Sequence, residues 1–340
     1  MGIAEELRGK ALELGFEGLG AVALGELAGY LERVDERERR VPLAKGGYDF
    51  MRGLARPERH FPEARSLVVG ILDIGRYRIP TGAAGLIGRH YLFDPRRNPR
   101  SPEALMVSEL TGFMGRLGLK AAANENPGIA PMRWAAWKAG LGVIRQNNFF
   151  YTATGSWKQI VAWAIDRELE MPSPPAPAPC PEGCGKCVAA CPTGSLSGPY
   201  VMNMATCVSY LTNIAPWEAD EELLRQMGGW LYGCDACQDA CPFNRAGDGT
   251  QDFPGLEETA RKARPESILA MGLDEIEREL AWKFFYIKKE SLHCWKLNAL
   301  NVIANTGRAD LVGTVRGALE DPNLDVRLKA AWTLQRLGAT

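Results

Sequence analysis

The stretch "CPEGCGKCVAACPTG" (residues 180–194) places four cysteines within twelve residues, Cys180, Cys184, Cys187 and Cys191. Core packing never needs thiols at that density. A second group follows, Cys207 and then Cys234, Cys237 and Cys241 in "CDACQDACP". All the clustered cysteines lie between 180 and 241, so one segment of the chain is built around metal or disulfides.

Composition decides between those two. The 340 residues are 46% hydrophobic and 24% charged, an ordinary composition for a folded chain. Forty basic residues against forty-one acidic give a net charge of −1, which argues against a surface devoted wholly to nucleic acid. The N-terminal "MGIAEELRGKALELGFEGLG" has no apolar run suited to a signal peptide, and no stretch approaches the roughly 20 apolar residues of a membrane span. The expectation is a cytoplasmic protein with no membrane partner, in which thiols stay reduced and clustered cysteines bind metal.

Outward from the cysteines the chain divides. "AEELRGKALELGF", "PEALMVSELTGFMGRLGL" and "APMRWAAWKAGLG" have helical periodicity, while "SLVVGILDIG" (66–75) and "QIVAWAI" (159–165) are apolar runs suited to buried strands. "GLGAVALG" (18–25) lacks the spacing of a dinucleotide loop. "MPSPPAPAPCP" (171–181) carries six prolines in eleven residues and reads as an extended connector. After the cysteines, 295–338 turns helical and resembles HEAT-type repeats. So short an array must dock on the rest of the protein to bury its faces. The expected fold class is α+β, with residues 1–170 as an α/β domain, 171–255 as a ferredoxin-like domain and 256–340 as a helical HEAT-like region.

The two cysteine runs end in Cys-Pro, as in two-cluster bacterial ferredoxins, where the last cysteine of each run crosses to the other cluster. That pattern assigns Cys180, Cys184, Cys187 and Cys241 to one [4Fe-4S] centre, and Cys191, Cys207, Cys234 and Cys237 to the other. The first spacing is three residues where the ferredoxin pattern has two, a departure at Cys180. Structural zinc is the alternative, since paired C-x2-C motifs are also zinc signatures, but residues 188–233 separate the pairs and zinc gives no reason for two Cys-Pro endings. Cys294, the ninth cysteine, reads as a buried spectator.

"CGKCVAACPTGSLSGPYVMNMATCVSYLT" followed by "GGWLYGCDACQDACPFNR" resembles the iron–sulfur part of the epoxyqueuosine reductases, which are related to the reductive dehalogenases. "RPERHFPEARSLVVGIL", "WKAGLGVIRQNNFFYTATGSW" and the helical tail fall in that family's order, so the resemblance covers nearly the whole length. It implies a nitroreductase-like α/β domain that binds cobalamin base-off, two [4Fe-4S] clusters, and a reduced ferredoxin or flavodoxin-type electron donor. None of His60, His90 and His293 sits in the Asp-x-His-x-x-Gly arrangement that supplies a histidine to cobalt elsewhere. The segments "AGLGVIRQNN" and "TGSW" are placed around the corrinoid, with Gly140 and Gly142 allowing close approach and Asn147, Asn148 and Ser156 hydrogen-bonding it. On the residues alone, the favoured reading is that Gly140 caps a helix and Ser156 turns a loop.

The family's proton donor is an aspartate seven residues before an arginine. In "NENPGIAPMRW" Arg133 matches the arginine, but Asn126 occupies the aspartate position and Ile129 replaces a glutamate. An amide is no general acid near neutral pH. Tyr91, which matches a family tyrosine, and Glu125 are the substitute donors to consider; core packing is the other reading of Tyr91. The arginines of 75–100 (Arg76, Arg78, Arg89, Arg96, Arg97, Arg100) form a basic stretch suited to a tRNA backbone, an anionic small molecule or plain solvent. Three functions follow: a diverged cobalamin and iron–sulfur reductase with its own small-molecule or tRNA substrate, an epoxyqueuosine reductase acting on tRNA with a displaced acid, or an electron-transfer or corrinoid-handling protein without substrate chemistry.

Overall fold

The computed structural model describes residues 2–42, 45–123, 128–213, 220–244 and 249–339. Helix α1 (Ile3–Leu14) turns Leu7 and Ala11 inward and stops at Gly15, whose φ of 99° lets its N–H and that of Phe16 close on the last carbonyls. Strand β1 (Gly18–Ala23), helices α2 (Ala28–Arg40) and α3 (Lys45–Gly53), and strand β2 (Ser66–Asp73) follow. Next come α4 (Arg89–Leu92), α5 (Pro102–Arg116), β3 (Ala121–Ala123), α6 (Met132–Lys138), the two-residue strands β4 (Val143–Ile144) and β5 (Phe150–Tyr151), and β6 (Lys158–Ile165).

The main sheet runs β1-β2-β6-β3 with every neighbour antiparallel. Strand β2 is buried from Ser66 to Leu72, which is why its sequence is a continuous apolar run. Leu67, Val69 and Ile71 pack toward Ala135, Ala136 and Ala139 of α6. Val68 and Leu72 face Leu7 of α1 and Met106, Leu110 and Met114 of α5. The sheet is thus a middle layer between α6 and the α1–α5 pair. "GLGAVALG" becomes the antiparallel edge strand β1, a setting that excludes a dinucleotide loop.

Residues 168–181 adopt neither helix nor strand, as the prolines require. Past them, each C-x2-C loop runs into a short helix, α7 (Lys186–Ala189) after Cys184 and Ala236–Asp239 after Cys234; α8 (Val208–Asn213) starts directly behind Cys207. The C-terminal part holds helices Leu256–Lys262, Pro265–Ala270, Cys294–Thr306, Val312–Gly317 and Leu324–Arg336. Its apolar face is covered by the rest of the chain. One core joins Ile87, Leu92 and Phe93 of the N-terminal part and Tyr232 of the cysteine-rich part to Trp295, Leu300 and Ile303. Trp295 stacks on Tyr232 with ring centroids 5.1 Å apart.

Three asparagines on helix Cys294–Thr306 tie it to the cysteine-rich segment. Asn298 donates from Nδ2 to the carbonyls of Thr212 (2.7 Å) and Leu231 (3.1 Å), Asn301 to Leu224 (3.0 Å), and Asn305 to Leu224 (2.8 Å) and Gly228 (3.0 Å). Among the described residues no helix is long and apolar enough to cross a membrane.

Candidate active site

The eight clustered cysteines are free thiols, and they separate into two groups in space. Cys180, Cys184, Cys187 and Cys241 line one small pocket together with Arg145, Asn147 and Phe243. Cys191, Cys207, Cys234 and Cys237 line a larger cavity of ≈ 510 Å³. The last cysteine of each run lines the other run's pocket. Burial pushes the Cys234 thiol up to about 12 and also raises Cys187, Cys207 and Cys237. Thiols so enclosed become thiolates only beside a positive metal centre, so the donor chemistry suits bound metal in both pockets.

The opposite wall of the larger cavity comes from the α/β part. Helix α4 contributes His90 and Tyr91, α6 contributes Arg133, and the chain between β5 and β6 contributes Ser156. Tyr91 lies edge-on to Tyr232 (5.0 Å) and Tyr286 (5.7 Å). Burial raises its pKa despite hydrogen bonding to Ser209 and Asn213, so the phenol keeps its proton at neutral pH. His90 is held between Phe149 (5.6 Å) and Trp157 (5.8 Å), with Nε2 3.2 Å from the Lys158 carbonyl and Nδ1 enclosed without a hydrogen-bond partner among the described residues. Burial lowers its pKa to about 4, so the ring is neutral. Arg133 donates to the Asn148 carbonyl, and burial followed by repulsion from Arg37 lowers its pKa.

Of the residues singled out from sequence, the fold brings Tyr91, Arg133, Asn147, Ser156 and the second cysteine set to one cavity. Asn126 and Glu125 lie outside the described residues. Gly140, Gly142 and Asn148 are not among the residues that line the cavity. Gly140 has φ 71° and lies where a Cβ would meet Ser173 of the connector at 2.2 Å; a Cβ on Gly142 would meet the Tyr151 carbonyl oxygen at 2.2 Å. Packing therefore requires both glycines. Asn148 adopts φ 64° and accepts a hydrogen bond from Arg37. Ser156 donates to Gln238 (2.8 Å) and accepts from Asn244 (2.9 Å), so its hydroxyl joins the α/β part to the cysteine-rich part.

The basic stretch is largely neutralised: Arg76 pairs with Glu103, Arg78 with Asp252 and Arg96 with Asp94. Sequence reasoning passed over Lys158, whose buried ammonium bridges Glu17 (2.7 Å) and Asp73 (2.8 Å) at the cavity wall. It also passed over Arg145, a charge within the apolar run "GVIRQNNFFY" and for that reason detectable in principle.

Comparison with known proteins fits this architecture. Residues 180–244 match the 4Fe-4S double cluster binding domain. An epoxyqueuosine reductase of Xanthomonas campestris pv. campestris is 26% identical over 98% of this chain and 96% of its own. One from Leadbetterella byssophila is 30% identical over 71% of this chain and 80% of its own. The crystal structure of epoxyqueuosine reductase with a tRNA-Tyr epoxyqueuosine-modified stem loop superposes with a TM-score of 0.80 at 23% identity, covering 98% of this chain and 90% of that one, a likeness of fold. Taken with the two cysteine pockets, these matches place the chain in the epoxyqueuosine reductase family of iron–sulfur oxidoreductases.

Proposed function

We propose that the protein is a cobalamin- and iron–sulfur-dependent reductase, diverged from epoxyqueuosine reductase in its proton donor and substrate and acting in the cytoplasm. The observation that carries this reading is the ≈ 510 Å³ cavity, walled by four cysteines on one side and by Tyr91, His90 and Arg133 on the other. Cys180, Cys184, Cys187 and Cys241 would hold one [4Fe-4S] cluster, and Cys191, Cys207, Cys234 and Cys237 the other.

The cavity lining is mostly apolar and suits a base-off corrinoid between the 1–170 and 171–255 segments, with the HEAT-like 256–340 region bracing both. When bound, the clusters and corrinoid supply single-electron transfer and a reactive cobalt centre, fed by a ferredoxin or flavodoxin-type donor. The chain's own residues supply the rest. Tyr91 holds a proton on Oη at neutral pH and faces the cavity, so it is placed to protonate reduced substrate. Arg133 presents a buried cation to an anionic group. Asn126 replaces the family's acid and cannot donate a proton in this way.

A second reading, epoxyqueuosine reduction in tRNA with a displaced acid, draws support from the fold shared with the tRNA-bound structure. Anaerobic turnover of an epoxyqueuosine-modified stem loop with a chemical reductant separates the two. Divergence predicts poor turnover that rises in Asn126→Asp. Robust turnover by the unsubstituted chain, lost about 10²- to 10⁴-fold in Tyr91→Phe, would establish the second reading. Turnover of any substrate without a partner protein excludes a mere electron carrier.

A further inference from the structure

Arg145 is 2% exposed. It sits in the hairpin between β4 and β5 and reaches into the Cys180 pocket. Its Nη2 donates to the Ala178 carbonyl at 2.7 Å, Nη1 lies 4.0 Å from Cys180 Sγ, and Nε has no acceptor among the described residues. The guanidinium lies over Phe243, 3.4 Å from the ring centroid, with Tyr151 at 5.1 Å. No carboxylate forms a salt bridge with it among the described residues, and no acidic side chain lines the pocket; the only other charged group there is the exposed Lys186.

A buried cation with no counter-ion is costly, and a fully formed ion pair or metal-centred anion is the usual remedy. The neighbouring anion that four thiolates and an iron–sulfur cube would create is the one group on the page that meets this need. The cations lining the second set's cavity are engaged elsewhere, Lys158 with Glu17 and Asp73, Arg96 with Asp94 and Arg133 with the Asn148 carbonyl, and the buried Asp235 stands next to Cys234 in the chain.

We infer that Arg145 is the counter-ion of the cluster held by Cys180, Cys184, Cys187 and Cys241, and that it raises that cluster's reduction potential above its neighbour's. The inference rests on the assignment of those cysteines to a cluster. Reduction adds one electron, taken from a one-electron donor, to the cluster; no bond forms or breaks and no proton moves. The negative charge grows, so a fixed cation a hydrogen bond away favours the reduced form. Low dielectric around Arg145 keeps that attraction strong, whereas water screens Lys186. The outer cluster thus becomes the site where an incoming electron rests before the cavity-facing cluster takes it.

The test is a redox titration of the whole anaerobic protein, with the two clusters followed by EPR, after iron and sulfide analysis. Less iron than two clusters require in the unsubstituted protein would refute the cluster assignment itself, and this inference with it. With iron complete, Arg145→Gln should lower one midpoint by at least the equivalent of tenfold in the oxidised-to-reduced ratio, about 59 mV for one electron. The other midpoint should stay in place, and Arg145→Lys should restore most of the shift. Lys186→Gln should move the same midpoint less than Arg145→Gln does. Unmoved midpoints in Arg145→Gln, or both moving equally, would overturn the inference. If Arg145→Gln loses iron, Arg145→Lys decides: full iron and a parent-like midpoint support a charge role, and loss of iron in a folded Lys variant overturns it.

Discussion

Replacing Asn298 by leucine probes how the C-terminal helices serve the thiols. Asn298 is 1% exposed and gives both amide hydrogens to carbonyls, of Thr212 at the end of α8 and of Leu231 just before Cys234. Leucine is close in volume and donates nothing. Each buried acceptor left unmade costs about 1–3 kcal/mol. Asn298 Oδ1 has no partner among the described residues, and removing that enclosed oxygen returns a comparable amount. The net loss is that of about one bond, roughly 1–3 kcal/mol. Both released carbonyls belong to segments carrying ligands of the second set, so cluster absorbance should be lost at lower guanidinium than helical circular dichroism. Asn305→Ala, at the half-buried end of the same helix, should cost less. Parent-like midpoints by both probes in Asn298→Leu would refute the idea that this helix holds the thiols in place.

Gly142→Ala forces a methyl to within 2.2 Å of a backbone oxygen, and overpacking of this kind costs about 1–3 kcal/mol; thermal unfolding of the variant should show it, and corrinoid affinity falling while stability holds would instead support a cofactor contact at this glycine. His90 has a pKa near 4 in the folded chain against about 6.5 unfolded, so between those values the unfolded chain binds more protons and stability falls as pH drops. His90→Phe should flatten unfolding midpoints measured across that window, and an unchanged slope would show the ring is not held neutral.

Much of the scaffold was legible because its signals are local. β2 is apolar from Leu67 to Leu72 and β6 from Ile160 to Ile165, where most positions are buried, and the cysteine spacing encodes loops closing on one centre. The Cys-Pro endings suggested a crossing of Cys191 and Cys241, and in the fold Cys191 lies with Cys207, Cys234 and Cys237 while Cys241 lies with Cys180, Cys184 and Cys187. The packing role of Gly140 and Gly142 was not legible, because a Cβ-free position has the same letter whether it faces a cofactor or a neighbouring strand. Asn298, Asn301 and Asn305 stand out in an apolar helix, yet their acceptors are backbone carbonyls, which no residue type announces. The arginine-rich stretch showed charge without showing the carboxylates at 94, 103 and 252 that neutralise much of it.

The core joining Phe93 and Tyr232 to Trp295 also sets a timetable. A ribosome delivers residue 93, and then every clustered cysteine, before it delivers Trp295. Until the final helices emerge, the nascent chain lacks the wall against which Tyr232 stacks and the donors that brace the segments beside Cys207 and Cys234. Iron delivered during synthesis would meet thiols on an unfinished scaffold; iron delivered after release meets them already braced. A chain cut short before Trp295 keeps every clustered cysteine but lacks the ring that stacks on Tyr232 and the Asn298 donors, and is expected to bind iron less well at Cys207 and Cys234 than the full chain does.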